Sequence, residues 1–320
     1  MSILVVTTGG TICSLASAET GNKNDIKTGA VLPQILDEVK RRLAGDYGMT
    51  GIAFEVESPI NTLSENMTIE LWNELIGYFR DKDISGYEGL IVMHGTDTLH
   101  MTAPLLSIAL GGIGVPVILV SGHRIITDPE SNAFDNFTNA VRMIDKLSGE
   151  DMAGKENVFV VYRNMNMVSY VHTGEALEEC GDYSEEFFSK GMCELEKWMK
   201  EYSPIELCKP MSLDDLTLKD DVLLIKPYVG INYSRYSLDG VRAVLHLMYH
   251  SSTLNAVGKS PSSALYMLEC CKEAGIPMYI FPCDENSYRY VTTKTLLEAG
   301  ALPLTGGTWN YTYTKLLLMR

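Results

Sequence analysis

Two short clusters of glycines and hydroxyl-bearing residues each follow an apolar run in this chain. Residues 7–11 read TTGGT after the run at 3–6, and residues 94–98 read HGTDT after the run at 90–93. A hydroxyl can act as a nucleophile, and a carboxylate can accept a proton or hold an ammonium group. Taken separately, the clusters also fit simpler structures, because Gly-Gly-Thr suits a tight turn and Thr96 or Asp97 suits a helix N-cap.

The elements that would position these clusters alternate along the chain. Buried strands are predicted from apolar runs at residues 3–6, 90–93, 115–120 and 158–162. Helices are predicted from apolar spacing at residues 31–44, 68–80 and 136–147, with Thr68 as an N-cap. This alternation predicts an α/β fold with a mainly parallel, doubly wound sheet. Both clusters then fall beyond the carboxyl ends of strands, where open parallel sheets bind ligands.

The character of the sequence changes after about residue 195. Residues 196–220 are polar and charged and give no clear strand signal, which predicts a linker. Strand and helix signals then resume, with helices predicted at 262–274 and 291–299. The predicted organisation is a larger N-terminal α/β domain at residues 1–195 and a smaller C-terminal α/β domain at residues 221–320.

The charge balance argues against one class of partner. With 41 acidic and 26 basic side chains, the chain of 320 residues has a formal net charge of −15. Nucleic-acid binding draws its affinity from Lys and Arg, so no nucleic-acid partner is expected.

The cysteines and the apolar stretches bound the function further. The seven cysteines include no CxxC pair and show no metal-ligand spacing with the six histidines, which predicts reduced thiols in the cytoplasm and no metal or cofactor. No signal peptide is recognised before the first strand. The uncharged stretch at 103–120 is interrupted by glycines and Pro116, so it predicts a helix end, a turn and a strand rather than a membrane span.

Taken together, the two clusters are more specific than either one alone. TTGGTI near the amino end, SENM at 64–67, HGTDTL and then VPVILVSGHRIITDPESNAFDNFTNAV resemble, in this order, the bacterial-type (type I/II) L-asparaginase family. LLEAGALPLTGGTWNYTYTKLLL resembles the closing strand and helix of that family. The resemblance implies an amidohydrolase that releases ammonia from L-asparagine or a related amino-acid amide, as a homodimer or homotetramer.

The resemblance also implies roles for individual residues. Thr11 would be the nucleophile, Thr96 and Asp97 would assist it, and an unassisted hydroxyl needs such help. Ser64 and Asp97 would hold the charged α-carboxylate and α-amino groups of the substrate, which is sensible hydrogen-bond chemistry. The residues expected to bind substrate are Gly10, Ser64, Glu65, Gly95 and Asp97.

Two departures from the family pattern bear on activity. Glu179 stands where the family has a catalytic lysine, and this charge reversal prevents a Thr-Lys-Asp relay. The loop after the nucleophile lacks the family's tyrosine, and by spacing Ile26 occupies roughly its place. Lys23 or Lys27 could replace a missing group, although loop lysines are usually only solvated.

These departures leave three interpretations open. The first is an amidohydrolase with altered activation, in which Glu179 could supply the acid or base in the lysine's place. The second is a catalytically degenerate protein that binds amino acids without turnover. The third is an enzyme whose substrate carries an additional positive charge, favoured by the carboxylates of Glu179 and Glu65.

Other candidates have structural alternatives of comparable weight. His94 and His123 border the predicted site and could assist proton transfer, but a histidine at a strand end is more often a hydrogen-bonded structural residue. Tyr288 and Tyr290 lie where family members place residues that complete a neighbouring subunit's site. Packing at an interface or a core edge would explain these tyrosines equally well.

Overall fold

The computed structural model describes residues 1–15, 25–207 and 212–319. The chain forms two compact units, residues 1–217 and 218–320. No helix in the described part is both long and apolar enough to cross a membrane.

The first unit is built around one large sheet. Its strands are β1 Ser2–Thr7, β2 Ser14–Leu15, β3 Asp25–Ile26, β4 Ala53–Glu57, β5 Gly89–Met93, β6 Ile113–Gly114, β7 Val117–Val120, β8 Met152–Ala153, β9 Val158–Arg163, β10 Ser169–Thr173 and β11 Cys193–Glu194. Its helices are α1 Thr28–Tyr47, α2 Ile69–Asp81, α3 Leu99–Ala109, α4 Ala133–Leu147 and α5 Leu195–Glu201. The large sheet has the order β11-β10-β9-β7-β5-β1-β4.

The sheet is parallel from β4 through β9 and antiparallel where β10 and β11 join it. β1 and β5 are buried along nearly their whole length, as strands covered on both faces must be. Helices α1 and α4 pack in one apolar cluster with β1 residues such as Val5, so the core is continuous from helix to sheet. The predicted α/β class with a mainly parallel sheet is confirmed.

The predicted helices are confirmed, with ends that differ by a few residues. Thr68 caps α2 as expected, because its hydroxyl accepts a hydrogen bond from the Leu71 amide. The stretch at 103–120 forms the end of α3, a turn and β7, as the glycines and Pro116 predicted.

The segment predicted as a linker begins inside the first unit. Helix α5 buries Trp198, whose ring stacks on Tyr202 at 4.5 Å and meets Phe159 of β9 edge to face at 5.5 Å. The unit boundary of the structure follows residue 217, whereas the sequence suggested a domain ending at 195. The charged pattern hid α5 because only a few of its side chains are buried.

The second unit is a smaller α/β fold. Its strands are β12 Val222–Ile225, β13 Ala243–Leu247, β14 Met278–Phe281 and β15 Leu302–Pro303, and its helices are α6 Ala264–Glu273, α7 Val291–Glu298 and α8 Trp309–Leu318. The four strands are parallel in the order β12-β13-β14-β15. The predicted smaller C-terminal α/β domain is therefore confirmed as a fold.

Candidate active site

Four neighbouring parallel strands end at the same edge of the large sheet. Thr7 of β1 pairs with Met93 of β5, and Met93 pairs with Val120 of β7, so these strands end in register. β9 follows β7 in the sheet and ends at Arg163. The residues that follow β1, β5 and β7 therefore meet at one place, as the sequence predicted for the first two.

Gly10 and Gly95 bring the two predicted clusters into contact. Gly10 has a φ of +79°, and a Cβ added there would lie 2.6 Å from the Gly95 amide nitrogen. A Cβ on Gly95 would lie 2.6 Å from the Ser64 Cβ. Because both positions lack room for a side chain, Thr11 and Thr96 follow directly from a close backbone contact.

The turn that presents Thr11 is fixed by backbone hydrogen bonds. The Gly10 amide donates to the Thr62 carbonyl at 3.0 Å. The Gly10 carbonyl in turn accepts from the Cys13 amide at 3.0 Å and from the Ser14 hydroxyl at 2.8 Å. Thr11 begins a short 3-10 turn, Thr11–Cys13, and is partly exposed while Ile12 and Cys13 are buried. The hydroxyl-bearing residue is thus the accessible one of this turn.

Ser64 and Asp97 form a hydrogen-bonded pair. The Ser64 hydroxyl donates to Asp97 Oδ2 at 2.9 Å, and the Asp97 amide donates to Ser64 Oγ at 3.2 Å. The Thr98 hydroxyl donates to the Ser64 carbonyl at 2.9 Å, which ties the two segments a third time. Ser64 is buried and Asp97 is exposed, so the carboxylate faces solvent while the serine orients it.

A cavity of about 430 Å³ opens beside Thr96 and Asp97. Glu179 lines the same cavity, so the structure brings it to the two residues beside which the sequence placed the missing lysine. Asp182 and Glu185 also line the cavity, while its described lining includes no lysine or arginine. The lining is therefore strongly acidic.

The segment that supplies these carboxylates is tethered to the end of β9. The Asn164 side chain donates to the Phe187 carbonyl at 2.9 Å and accepts from the Phe187 amide at 3.0 Å. The Phe187 ring meets the buried Tyr162 ring edge to face at 4.8 Å, and both residues line the cavity. Sequence reasoning missed this segment, although Tyr162 ends an apolar run whose carboxyl end was expected at this edge.

The two histidines that follow strands have different surroundings. His94 is fully buried, its Nδ1 lies 2.8 Å from the Gly95 carbonyl, and burial lowers its pKa to about 4. A neutral histidine bonded to the adjacent backbone is a structural residue at neutral pH. His123, in contrast, lines the cavity with Thr96 and Asp97.

Several predicted residues are not brought to the cavity. Glu65 is exposed in a short turn and is not part of the lining. Ile26 pairs with Ser14 in the β2–β3 hairpin, and the Lys27 amide donates to the Cys13 carbonyl at 2.9 Å. Lys23 lies outside the described residues.

Tyr288 and Tyr290 lie on the second unit, where 47% and 49% of their surfaces are exposed. Neither is core packing within that unit, so their role in completing a site stays a prediction. Among the described residues, no group of three His, Cys, Asp or Glu side chains could hold a metal ion.

A parallel sheet with hydroxyl and carboxylate groups gathered at its carboxyl edge, joined to a smaller α/β unit, defines an amidohydrolase-like α/β protein. Residues 2–180 match the family model described as asparaginase, N-terminal, and the chain belongs to the asparaginase family.

Curated relatives are named as parts of an amidotransferase. The chain is 34% identical over 141 residues to the D-type glutamyl-tRNA(Gln) amidotransferase subunit of Methanosphaera stadtmanae, covering 44% of this chain and 30% of that protein. It is 24% identical over 333 residues to the Aeropyrum pernix protein of the same name, covering 98% of this chain and 73% of that protein. It spans 54% of the Methanococcus maripaludis C5 protein of that name, at 28% identity and with 72% of this chain covered.

Solved structures share the fold over nearly the whole chain. The thermostable L-asparaginase from Thermococcus kodakarensis matches with a TM-score of 0.67 and 22% identity, over 99% of this chain and 92% of that one. L-asparaginase I from Vibrio cholerae matches with a TM-score of 0.72 and 18% identity, over the same shares of both chains. These likenesses establish the two-unit asparaginase fold.

Proposed function

We propose that this protein is an amidohydrolase that releases ammonia from the side-chain amide of L-asparagine or a related amino-acid amide, with Thr11 as nucleophile. The close contact of Gly10 with Gly95 carries the proposal, because it sets Thr11 beside Thr96 and Asp97. Three functional groups of the kinds that acyl transfer requires then lie together at one edge of the sheet.

The proposed reaction has two halves. The Thr11 oxygen attacks the amide carbon, the hydroxyl proton passes to the leaving nitrogen, and ammonia departs as an ester forms on Thr11. Water then attacks the ester carbon, so the carboxylic acid product leaves and the threonine is restored. Binding energy comes from the Ser64 and Asp97 pair, whose carboxylate is placed for a substrate ammonium group.

Ammonia release from a panel of amides tests the proposal. Purified protein is incubated with asparagine, glutamine and amides that bear an additional amine, and free ammonia is measured. Thr11→Ala should lower turnover by about 10³-fold or more, because a missing nucleophile leaves only binding and charge stabilisation. Thr50→Ala is the matched control, since Thr50 is exposed and remote from the turn of Thr11.

Silence of the unaltered protein on every amide would overturn the proposal. Calorimetry then separates the remaining interpretation, because a degenerate homologue would bind an amino acid without turnover. Full activity of Thr11→Ala would instead show that another residue is the nucleophile.

The acidic cavity favours a second candidate, an amide substrate with an additional positive charge. Glu179, Asp182 and Glu185 line it together with Asp97, and opposite charge is what such carboxylates would select. Glu65, which the sequence suggested for this purpose, is not in the lining. Equal or better turnover of plain asparagine than of every cationic amide would contradict this candidate.

We also propose that the protein acts as an oligomer. The family resemblance implies a homodimer or homotetramer, in which Tyr288 would face a neighbouring subunit's site. The curated relatives are by their name subunits of an amidotransferase, which makes a different partner chain the alternative. Light scattering on the purified protein distinguishes a homo-oligomer from a monomer that awaits such a partner.

A further inference from the structure

His123 lies beyond the end of β7, the strand next to the one that carries Thr96 and Asp97. Gly122 packs close to the turn of Thr11, because a Cβ added to it would lie 3.6 Å from the Ile12 Cβ. The His123 amide donates to Asn132 Oδ1 at 3.1 Å, which fixes the backbone at this point. His123 is therefore held at the same strand edge as both predicted clusters.

The side chain of His123 faces the proposed site. It lines the cavity together with Thr96, Asp97 and Glu179, yet only 4% of it is exposed. An imidazole that lines a cavity while almost wholly shielded from bulk water is suited to exchange protons with a bound substrate.

A carboxylate lies on one side of the imidazole. His123 Nε2 is 3.7 Å from Glu185 Oε2, and the same carboxylate oxygen is 3.8 Å from Arg124 Nη2. Such pairs hold a proton on one ring nitrogen and stabilise the imidazolium that forms when the other nitrogen accepts one. Catalytic hydrogen bonds are often this long before substrate binds.

The other ring nitrogen has no such neighbour. Among the described residues, His123 Nδ1 is buried without a hydrogen-bond partner, and the Tyr162 hydroxyl in the same cavity is likewise buried without one. A buried polar atom without a partner costs free energy, so it calls for a functional explanation. A proton held on Nε2 by Glu185 leaves Nδ1 as an unprotonated acceptor.

We propose that His123, oriented by Glu185, is the general base that replaces the family's missing lysine. This inference rests on the proposed function. As the Thr11 oxygen bonds to the amide carbon, its proton passes through the Thr96 hydroxyl to the imidazole. The imidazolium returns that proton to the amide nitrogen as the carbon–nitrogen bond breaks, and ammonia leaves. In the second half the imidazole takes a proton from the attacking water and returns it to Thr11.

Steady-state kinetics on the best amide substrate test this role. His123→Gln should lower kcat by about 10² to 10⁴-fold with KM changed less than about threefold, as expected for a lost general base. Glu185→Gln should lower kcat by about tenfold, because the imidazole remains but loses its orienting partner. His250→Gln and Glu178→Gln are the matched controls, since both residues are exposed and neither lines the cavity.

Chemical rescue separates a base from a structural histidine. In His123→Ala the vacated space should let added imidazole restore part of kcat, which a merely structural role would not permit. A His123→Gln enzyme that keeps kcat within about threefold would overturn the inference, and so would a low kcat in His123→Ala that imidazole leaves unchanged. Unaltered protein that releases no ammonia overturns the proposed function and this role together, whereas active protein with indifferent His123 variants overturns this role alone.

Discussion

At Gly10 the chain leaves β1 in a left-handed conformation and packs against the backbone of Gly95. The glycine at this place was visible in the sequence, but the identity of its contact was not, because residues 10 and 95 approach only through the strand order of the sheet. Glu185 and Tyr162 escaped sequence reasoning for the same reason. Their segment returns to the site through the Asn164 tether, and no local pattern encodes that return.

Replacement of Gly10 should damage both the fold and the site. Gly10→Ala places a Cβ 2.6 Å from the Gly95 nitrogen at a φ of +79°, so the free energy of unfolding should fall by at least about 2 kcal/mol and ammonia release should be lost. Gly48→Ala is the control, because its φ is +67° in open space and only the conformational cost of about 1 kcal/mol applies. Urea unfolding of both variants measures the difference, and equal losses would contradict the close contact.

At the level of elements, helix α5 and the chain after it are fastened to the sheet through Glu156 as well as through aromatic stacking. The Tyr202 hydroxyl lies 3.4 Å from Glu156 Oε2, and the Glu156 amide donates to the Ile205 carbonyl at 2.8 Å. The alternation of strands and helices was readable because each buries a periodic apolar face. Helix α5 was not, because aromatic contacts over a short span leave too little periodicity.

Burial, with a further contribution from the charge of Glu175, raises the pKa of Glu156 to about 7. Between pH 4.5 and 7 the unfolded chain ionises this carboxyl while the folded chain keeps it protonated, so stability falls as pH rises through that range. Glu156→Gln avoids the buried charge and should gain about 1 to 2 kcal/mol over the unaltered protein above about pH 7, after allowance for partial exposure.

Urea unfolding at about pH 5 and about pH 8 checks this prediction, since these values bracket the shifted titration. The gain of Glu156→Gln should be small under the acidic condition and full under the basic one, while the exposed Glu150→Gln should show no such change. A gain that is the same at both pH values would show that the charge of Glu156 is not its cause.

Across the whole molecule, three buried histidines link stability to pH. Burial lowers the pKa of His94, His172 and His246 to about 4 in each case. His94 and His172 belong to the first unit and His246 to the second. In the unfolded chain these groups titrate near 6.5, so their stabilising effect is complete above about pH 6.5 and is lost as pH falls towards 4.

Replacement of one of these histidines should flatten that acid response. His172→Gln should reduce the loss of unfolding free energy between about pH 6.5 and about pH 4 by about 1 to 3 kcal/mol, because glutamine gains no proton. The exposed His250→Gln should keep the unaltered slope. Urea unfolding across this pH range gives both slopes, and identical slopes for His172→Gln and the unaltered protein would refute the linkage.

The proposed reaction requires that Thr11 form an ester with the acyl group of an amide substrate. This intermediate can be trapped by acid quenching during turnover and located by peptide mass spectrometry. We expect the peptide containing Thr11 to gain the mass of the acyl group, and we expect neither this adduct nor ammonia release in Thr11→Ala. Sustained ammonia release with the adduct on another residue, or from Thr11→Ala itself, would show that Thr11 is not the nucleophile.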